Sequence, residues 1–247
     1  MKLQKKDMNM KVLLINNSGN VGKSFISREV FYQHMGDDKI LVELETHNSS
    51  SISFKSVELI KIIGSDVKEL FRNMNLYDDV VVDVGASNIE VFLREISKFI
   101  EILDDIDYFI VPAFKDIKQT KDTLKTIEIL SALADKNKIK VIFNRVEKDV
   151  KKEFQTTIEA MHKFNIKVNT NLCIYHSDAV EDLDKIKLLS GDIVQDTTDY
   201  KKIAKEKAKA GDKKGSIEAS DKQMIKIMSN SLFQNTKNVF DVFKKGM

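Results

Sequence analysis

The 247-residue chain has no tryptophan, one proline (Pro112) and one cysteine (Cys173). A single thiol excludes an intrachain disulfide framework and a cysteine-built metal site, so a reducing compartment is expected. Cys173 lies in an apolar run, where a small buried side chain is the ordinary occupant. So little proline argues against a long extended linker. No apolar run approaches the roughly 20 residues of a membrane span. None follows Met1–Met10 as it would in a secretory leader, so a cytoplasmic protein is expected. The apolar fraction, 42%, suffices for a full core in one large α/β domain or a domain with an appendage.

Net charge is only +2, but it is unevenly placed. From Lys201 to Met247 there are twelve lysines against five acids, +7, which leaves −5 on the preceding 200 residues. A basic tail on an acidic body suggests an anionic partner for the tail, with a solvated lysine-rich helix as the plainer alternative.

The chemistry concentrates in Asn17-Ser18-Gly19-Asn20-Val21-Gly22-Lys23-Ser24. The apolar run Val12–Ile15 precedes it and a helical pattern, Phe25–Met35, follows. Strand, glycine-containing loop ending Gly-Lys-Ser, then helix is the context of a P-loop. Amides of Gly19 to Ser24 would cradle phosphates at the positive end of the helix, with Lys23 reaching the β/γ-phosphates and Ser24 completing a Mg²⁺ shell. The usual pattern begins with glycine where Asn17 stands. Asparagine is the next-best residue for a left-handed backbone there.

Further along, Lys39–Leu44 reads as a strand leading into Glu43 and Glu45, two carboxylates on one side of it. At a strand's C-terminal end they would face a ligand crevice. Asn48–Ser53 is a polar loop, and Phe54–Ile63 fits strand and helix equally. After a helix to Met74, Asp79–Val84 reads as a buried parallel strand, with Asp83 placed as the acid that holds Mg²⁺. Gly85–Asn88 would pass near the γ-phosphate. Helix, strand and helix then follow at Asn88–Leu103, Tyr108–Pro112 and Ile117–Ala134. Ile139–Phe143 is a strand ending in Asn144-Arg145, and the Asn144 amide could read a base edge because it offers donor and acceptor together. Val150–Phe164 reads as helix, Val168–Tyr175 as strand, Asp178–Leu189 as helix and Ser190–Thr198 as loop. The alternation predicts a doubly wound, mostly parallel α/β sheet of about six to eight strands with helices on both faces. It divides the chain into residues 1–198 and a basic helical extension, 199–247. In that extension Asp199–Ala210 and Ser216–Lys245 are helical around a break at residues 211–215. Its last turns carry Val239, Phe240 and Phe243 on one side. That face would pack on its own domain or a sister subunit, contact DNA or a protein, or lie on a membrane.

Together, the Ser18–Ser24 loop, the Glu43/Glu45 pair, Val80–Gly85, Val111-Pro112 and Phe143-Asn144-Arg145 resemble the deviant Walker A ATPases of the ParA/MinD type over about residues 11–190. The Gly-Asn-Val-Gly-Lys-Ser form is similar to the StbB and TraL-type plasmid stability and conjugation proteins of that group. The resemblance implies a P-loop NTPase fold, ATP/ADP and Mg²⁺ as cofactors, and a nucleotide-dependent homodimer. It also implies a role in plasmid partition, stability or positioning, with DNA or a DNA-bound adaptor as partner. By the same resemblance Ser18–Phe25, Asn144 and Arg145 contact nucleotide, Asn144 at the adenine. Lys23, Glu43, Glu45 and Asp83 are catalytic, and Ser24, Asp83 and Glu43 serve the metal. The family's signature lysine falls at Ser18, its second loop glycine at Asn20, and its two strand aspartates are glutamates here, which implies weak turnover. A small-molecule kinase or ligase-type transferase, and a nucleotide-binding module without turnover, are the alternative readings.

Overall fold

The structure is a computed structural model describing residues 9–45 and 54–246. Among the described residues seven strands form one sheet, with helices between most of them. They are β1 (Lys11–Leu14), β2 (Lys39–Glu45), β3 (Leu59–Ile63), β4 (Asp79–Val84), β5 (Tyr108–Ala113), β6 (Ile139–Val146) and β7 (Cys173–Tyr175). All neighbours pair in parallel, in the order β3-β2-β4-β1-β5-β6-β7. This is the expected doubly wound sheet. β1 lies between β4 and β5, so successive strands depart to opposite sides of it, and the crevice above such a reversal is where open α/β sheets place ligands. Phe54–Ile63, open in the sequence, resolves into strand β3 beside β2.

The helices are α1 (Lys23–Ile26), α2 (Val67–Leu76), α3 (Ile89–Ile96), α4 (Ile100–Asp104), α5 (Ile117–Leu133), α6 (Val150–Glu153), α7 (Gln155–Lys163), α8 (Ala179–Ile186), α9 (Ser190–Gln195), α10 (Tyr200–Lys209) and α11 (Lys213–Lys245). Several differ from the sequence reading. The helix expected over Phe25–Met35 starts as α1, widens into a π turn over Ser27–Phe31 and closes as a 3₁₀ turn at Tyr32–His34. The spans Asn88–Leu103 and Val150–Phe164 are each two helices. The strand at Val168–Tyr175 is only β7, and the loop at Ser190–Thr198 contains α9. Ser190 is drawn into helix by tertiary contact. Glu29, buried on the segment after α1, accepts from the Ser190 N–H and hydroxyl, and Gln33 accepts from the Gly191 N–H.

Strand alternation sorts side chains between two cores. On one face Leu13, Val42, Val82, Val111 and Val141 pack under α2, α3, α5 and α7. On the other, Val12, Leu14, Leu41, Val81, Ile110 and Ile142 meet Ile26, Val30 and Phe31 from the segment beginning with α1. They also meet Val239, Phe240 and Phe243 from α11. The apolar face of the C-terminal helix is therefore spent inside its own domain, the first of the three readings open for it in the sequence. Phe243 stands edge-on to Phe31 and Tyr108, with centroids 5.2 and 4.9 Å away. Asn235 of α11 also seals the β7 edge, accepting from the Tyr175 N–H at 2.9 Å and donating to the Cys173 carbonyl at 3.3 Å. An edge strand so covered cannot recruit another chain through that stretch.

The first half of α11 runs beside α10, which buries none of its residues. This pair exposes Lys201, Lys202, Lys205, Lys213, Lys214 and Lys222. No helix among the described residues is long and apolar enough to cross a membrane.

Candidate functional site

The loop between β1 and α1 begins with Asn16, which is fully buried. Its Nδ2 donates to the Pro112 carbonyl (2.7 Å) and to Thr123 Oγ1 (2.8 Å), and its Oδ1 accepts from the Ser18 N–H (2.8 Å). The Asn17 N–H donates to Thr126 Oγ1 at 3.0 Å. Only one loop residue is left-handed, Gly22 at φ 91°. Asn17 is not, which corrects the expectation that it substitutes for glycine by adopting that conformation. Hydrogen bonds to α5 make the turn instead. Gly22 is required twice over, because a Cβ there would sit 2.1 Å from Asn144 Nδ2. Gly19 has open space around it.

Lys23 opens α1 and points back under the loop, donating to the carbonyls of Asn16 (3.0 Å) and Ser18 (2.6 Å). Its ammonium is buried, which lowers its pKa, while Asp83 and Glu45 pull the other way. Ser24, next along, is exposed, and its hydroxyl donates to the Asp83 carboxylate. Asp83 ends the buried triple-valine strand, as its sequence position suggested. Burial raises its pKa against the Ser24 hydrogen bond and the charges of Lys23 and Arg28. Its Oδ1 is buried and accepts no hydrogen bond among the described residues. The α1 side of the sheet also carries Glu43, opposite Asp83 in the β2–β4 register, and Glu45 two residues on. Burial and then Asp83 raise the Glu45 pKa, opposed by Lys61 and Lys23.

A desolvated ammonium beside desolvated carboxylates is a candidate functional site on physical grounds. An anion against Lys23 and a hard divalent cation against Asp83 are the partners that restore both charges. The orphaned Asp83 oxygen next to an exposed hydroxyl fits Mg²⁺, which binds one or two protein oxygens and leaves its other positions to water and phosphate. Among the described residues no three His, Cys, Asp or Glu side chains gather as a closed metal cage.

Gly85–Asn88 is stapled to the end of β2. The Gly85 N–H and Asn88 Nδ2 both donate to the Leu44 carbonyl, at 3.0 and 3.1 Å. A Cβ on Gly85 would lie 3.3 Å from Glu45 Oε2, so this turn borders the carboxylates. The loop expected at Asn48–Ser53 lies outside the described residues.

Asn144 is the loop's second brace. Its Nδ2 donates to the Val21 carbonyl and its Oδ1 accepts from the Arg145 N–H, both at 2.9 Å. One amide hydrogen and one lone pair remain for a ligand. Arg145 is left-handed at φ 55°, beside a register shift between β6 and β7, and its guanidinium lies over Phe114. Gly22, Phe25, Asn144 and Arg145 line an open cleft together with Tyr175, His176, Asp178 and Glu181, which come from the end of β7 and the start of α8. The sequence reading missed those last four residues. It also missed the Asn16, Thr123 and Thr126 clamp, whose signal was two threonines three apart on the buried face of an otherwise apolar helical stripe. The site thus brings together Ser18–Phe25, Glu43, Glu45 and Asp83 around the loop, with Asn144 at its back and Arg145 beside the cleft.

No protein-family profile matches the chain, and no curated protein does. Solved structures do. A protein of Borrelia burgdorferi B31 assigned to plasmid partition, bound to AMPPNP, is 13% identical and superposes over 96% of this chain and 100% of its own at TM-score 0.55. Apo McdA of Cyanothece is 13% identical over 72% of this chain and 90% of its own, at 0.51. A ParA family ATPase of Chlorobium tepidum is 15% identical over 72% and 89%, at 0.50. At these identities the likeness establishes the fold: a ParA/MinD-like P-loop NTPase sheet, followed in this chain by a long C-terminal helix.

Proposed function

We propose that this protein binds MgATP, hydrolyses it slowly, and acts as a nucleotide-switched homodimer in the partition, stability or positioning of plasmid DNA. The observation that carries the reading is the buried, orphaned Asp83 oxygen beside Ser24 and Lys23, on a loop whose geometry is fixed from behind. Loop amides and Lys23 hold the phosphates, and amides at the start of a helix suit them because they have no partner within it. Ser24 and Asp83 hold the metal. When bound, Mg²⁺ neutralises charge that develops between the β- and γ-phosphates. Glu43 or Glu45 orients water toward the γ-phosphate, and Asn144 and Arg145 face the base in the cleft. Ser18, where the ParA/MinD group has a lysine that crosses to the partner subunit, supports slow turnover. The Gly-Asn-Val-Gly-Lys-Ser form supports a StbB- or TraL-like member.

The α10–α11 pair supports a polyanionic partner. Its lysines stand off the body on a surface with no buried side chains of α10, so phosphate contact costs little desolvation. Calorimetric titration of the full chain with MgATP tests the nucleotide claim. Binding by the wild type and none by Lys23→Ala is expected, and equal affinity in that variant overturns it. Turnover with and without duplex DNA across a salt series tests the partner. Stimulation that fades as salt rises supports DNA, whereas dependence on a metabolite with no response to DNA favours a transferase.

A further inference from the structure

We infer that Thr123 and Thr126 of α5 are positioning residues for phosphate binding, holding the first half of the loop in the shape that a glycine gives other P-loops. The inference rests on the nucleotide-binding reading above. Each threonine hydroxyl has one hydrogen and two lone pairs. In both, that hydrogen is committed to the helix: Thr123 Oγ1 donates to the Gln119 carbonyl and Thr126 Oγ1 to the Asp122 carbonyl, each at 2.8 Å. Their lone pairs are therefore turned outward, and the loop supplies the donors. Asn16 Nδ2 meets Thr123 and the Asn17 N–H meets Thr126. Thr123 is 0% and Thr126 2% exposed, so water does not compete for these bonds.

The consequence is a polarity that the loop cannot easily reverse. The amides of Asn17 and Ser18 are both turned away from the phosphate side, one to α5 and one to the Asn16 side chain. The carbonyls of Asn16 and Ser18 are aimed at Lys23. Lys23 is thereby held at the loop's centre, within reach of any phosphate the following amides bind. The loop turns at Asn17 without a left-handed residue because the helix behind it supplies the hydrogen bond that fixes the turn. The departure from the usual glycine and the presence of two buried threonines are two sides of one arrangement.

The test replaces Thr126 by valine, which keeps shape and removes the acceptor, and by serine, which keeps the acceptor. MgATP affinity of the full chain is read by calorimetry and nucleotide-free stability by thermal unfolding. Thr126→Val is expected to weaken MgATP by about five- to ten-fold, the worth of one buried hydrogen bond, with Thr126→Ser within about two-fold of wild type. A merely structural threonine lowers the unfolding midpoint of the valine variant and leaves the affinity of the folded protein unchanged, and that result overturns the inference. Should Thr126→Val not fold, Thr123→Val tests the other bond. If neither folds, the threonines hold the domain and not the loop, which also overturns it. A wild type that binds no MgATP sinks the nucleotide reading itself, a different outcome from a valine variant that binds as well as wild type.

Discussion

Phe243 is the point at which the C-terminal helix becomes part of the domain, and truncating it measures that attachment. The ring is 3% exposed and stands edge-on to Phe31 below the loop helix and to Tyr108 at the start of β5. Burying a phenylalanine removes roughly 150–250 Å² from water, and each edge-to-face contact adds about 0.5–1.5 kcal/mol. At about 25 cal/mol per Å² the transfer contribution is roughly 4–6 kcal/mol. Phe→Ala substitutions in cores cost about 3–5 kcal/mol, because neighbours relax partly into the cavity. Phe243→Ala is therefore expected to lower the urea-unfolding free energy of the nucleotide-free chain by about 3–5 kcal/mol, and its melting temperature by about 10 °C for a domain of this size. The control is Met224→Ala on the same helix, 56% exposed, which should stay within about 0.5 kcal/mol of wild type. If Phe243→Ala lies within 1 kcal/mol of wild type by the same assay, the last turns of α11 are not part of the core, and the packing argument for the second sheet face is refuted.

Other expectations follow from single contacts. Gly22→Ala forces a left-handed alanine, costing about 1–2 kcal/mol, and drives its methyl into Asn144, so calorimetry should show MgATP binding reduced at least about ten-fold. Wild-type affinity in that variant would mean the loop does not need its observed shape. Asp83→Asn removes a desolvated charge. The magnesium dependence of ATP affinity should disappear in that variant, read by calorimetry with and without Mg²⁺. Retained magnesium dependence contradicts the metal assignment. His34 is held down to about 4 by burial and then by Lys237, against the pull of Asp241, with Lys39 also lowering it. The neutral ring's contribution is full above about pH 6.5, the unfolded value, and is lost as pH falls toward 4. Discounted for the ring's partial exposure, wild type should lose on the order of 1–2 kcal/mol more than His34→Gln between those limits, and parallel pH–stability curves would rule this out.

Much of the architecture was legible because parallel strands covered on both faces read as continuous apolar runs. Val80–Val82 announced β4 and its terminal acid, and the 3.6-residue stripe of α5 announced a helix. Where local signals were mixed or absent, the reading missed. The stretch Leu59–Ile63 has mixed alternation because β3 is an edge strand, covered unevenly, and only its pairing with β2 decided it. Ser190–Gln195 looks like loop because its helical state depends on a buried glutamate 161 residues earlier. The segment after α1 has a helical pattern, but periodicity cannot distinguish an α turn from the π turn at Ser27–Phe31.

By itself the sequence determined most of the order of strands and helices, the position of the glycine-containing loop, and the identity of the ammonium and carboxylates gathered around it. Each of these rests on neighbours within a few residues, where chain geometry suffices. Tertiary structure alone decided three things: that Asn17 needs no left-handed backbone, that Asn144 braces the loop as well as facing the cleft, and that Phe240 and Phe243 belong to the core and not to a surface. Each depends on contacts about 100 or more residues apart, made when the sheet sets α5, β6 and α11 against the loop and its helix. A pattern read along the chain carries no information about which distant side chain will supply the partner.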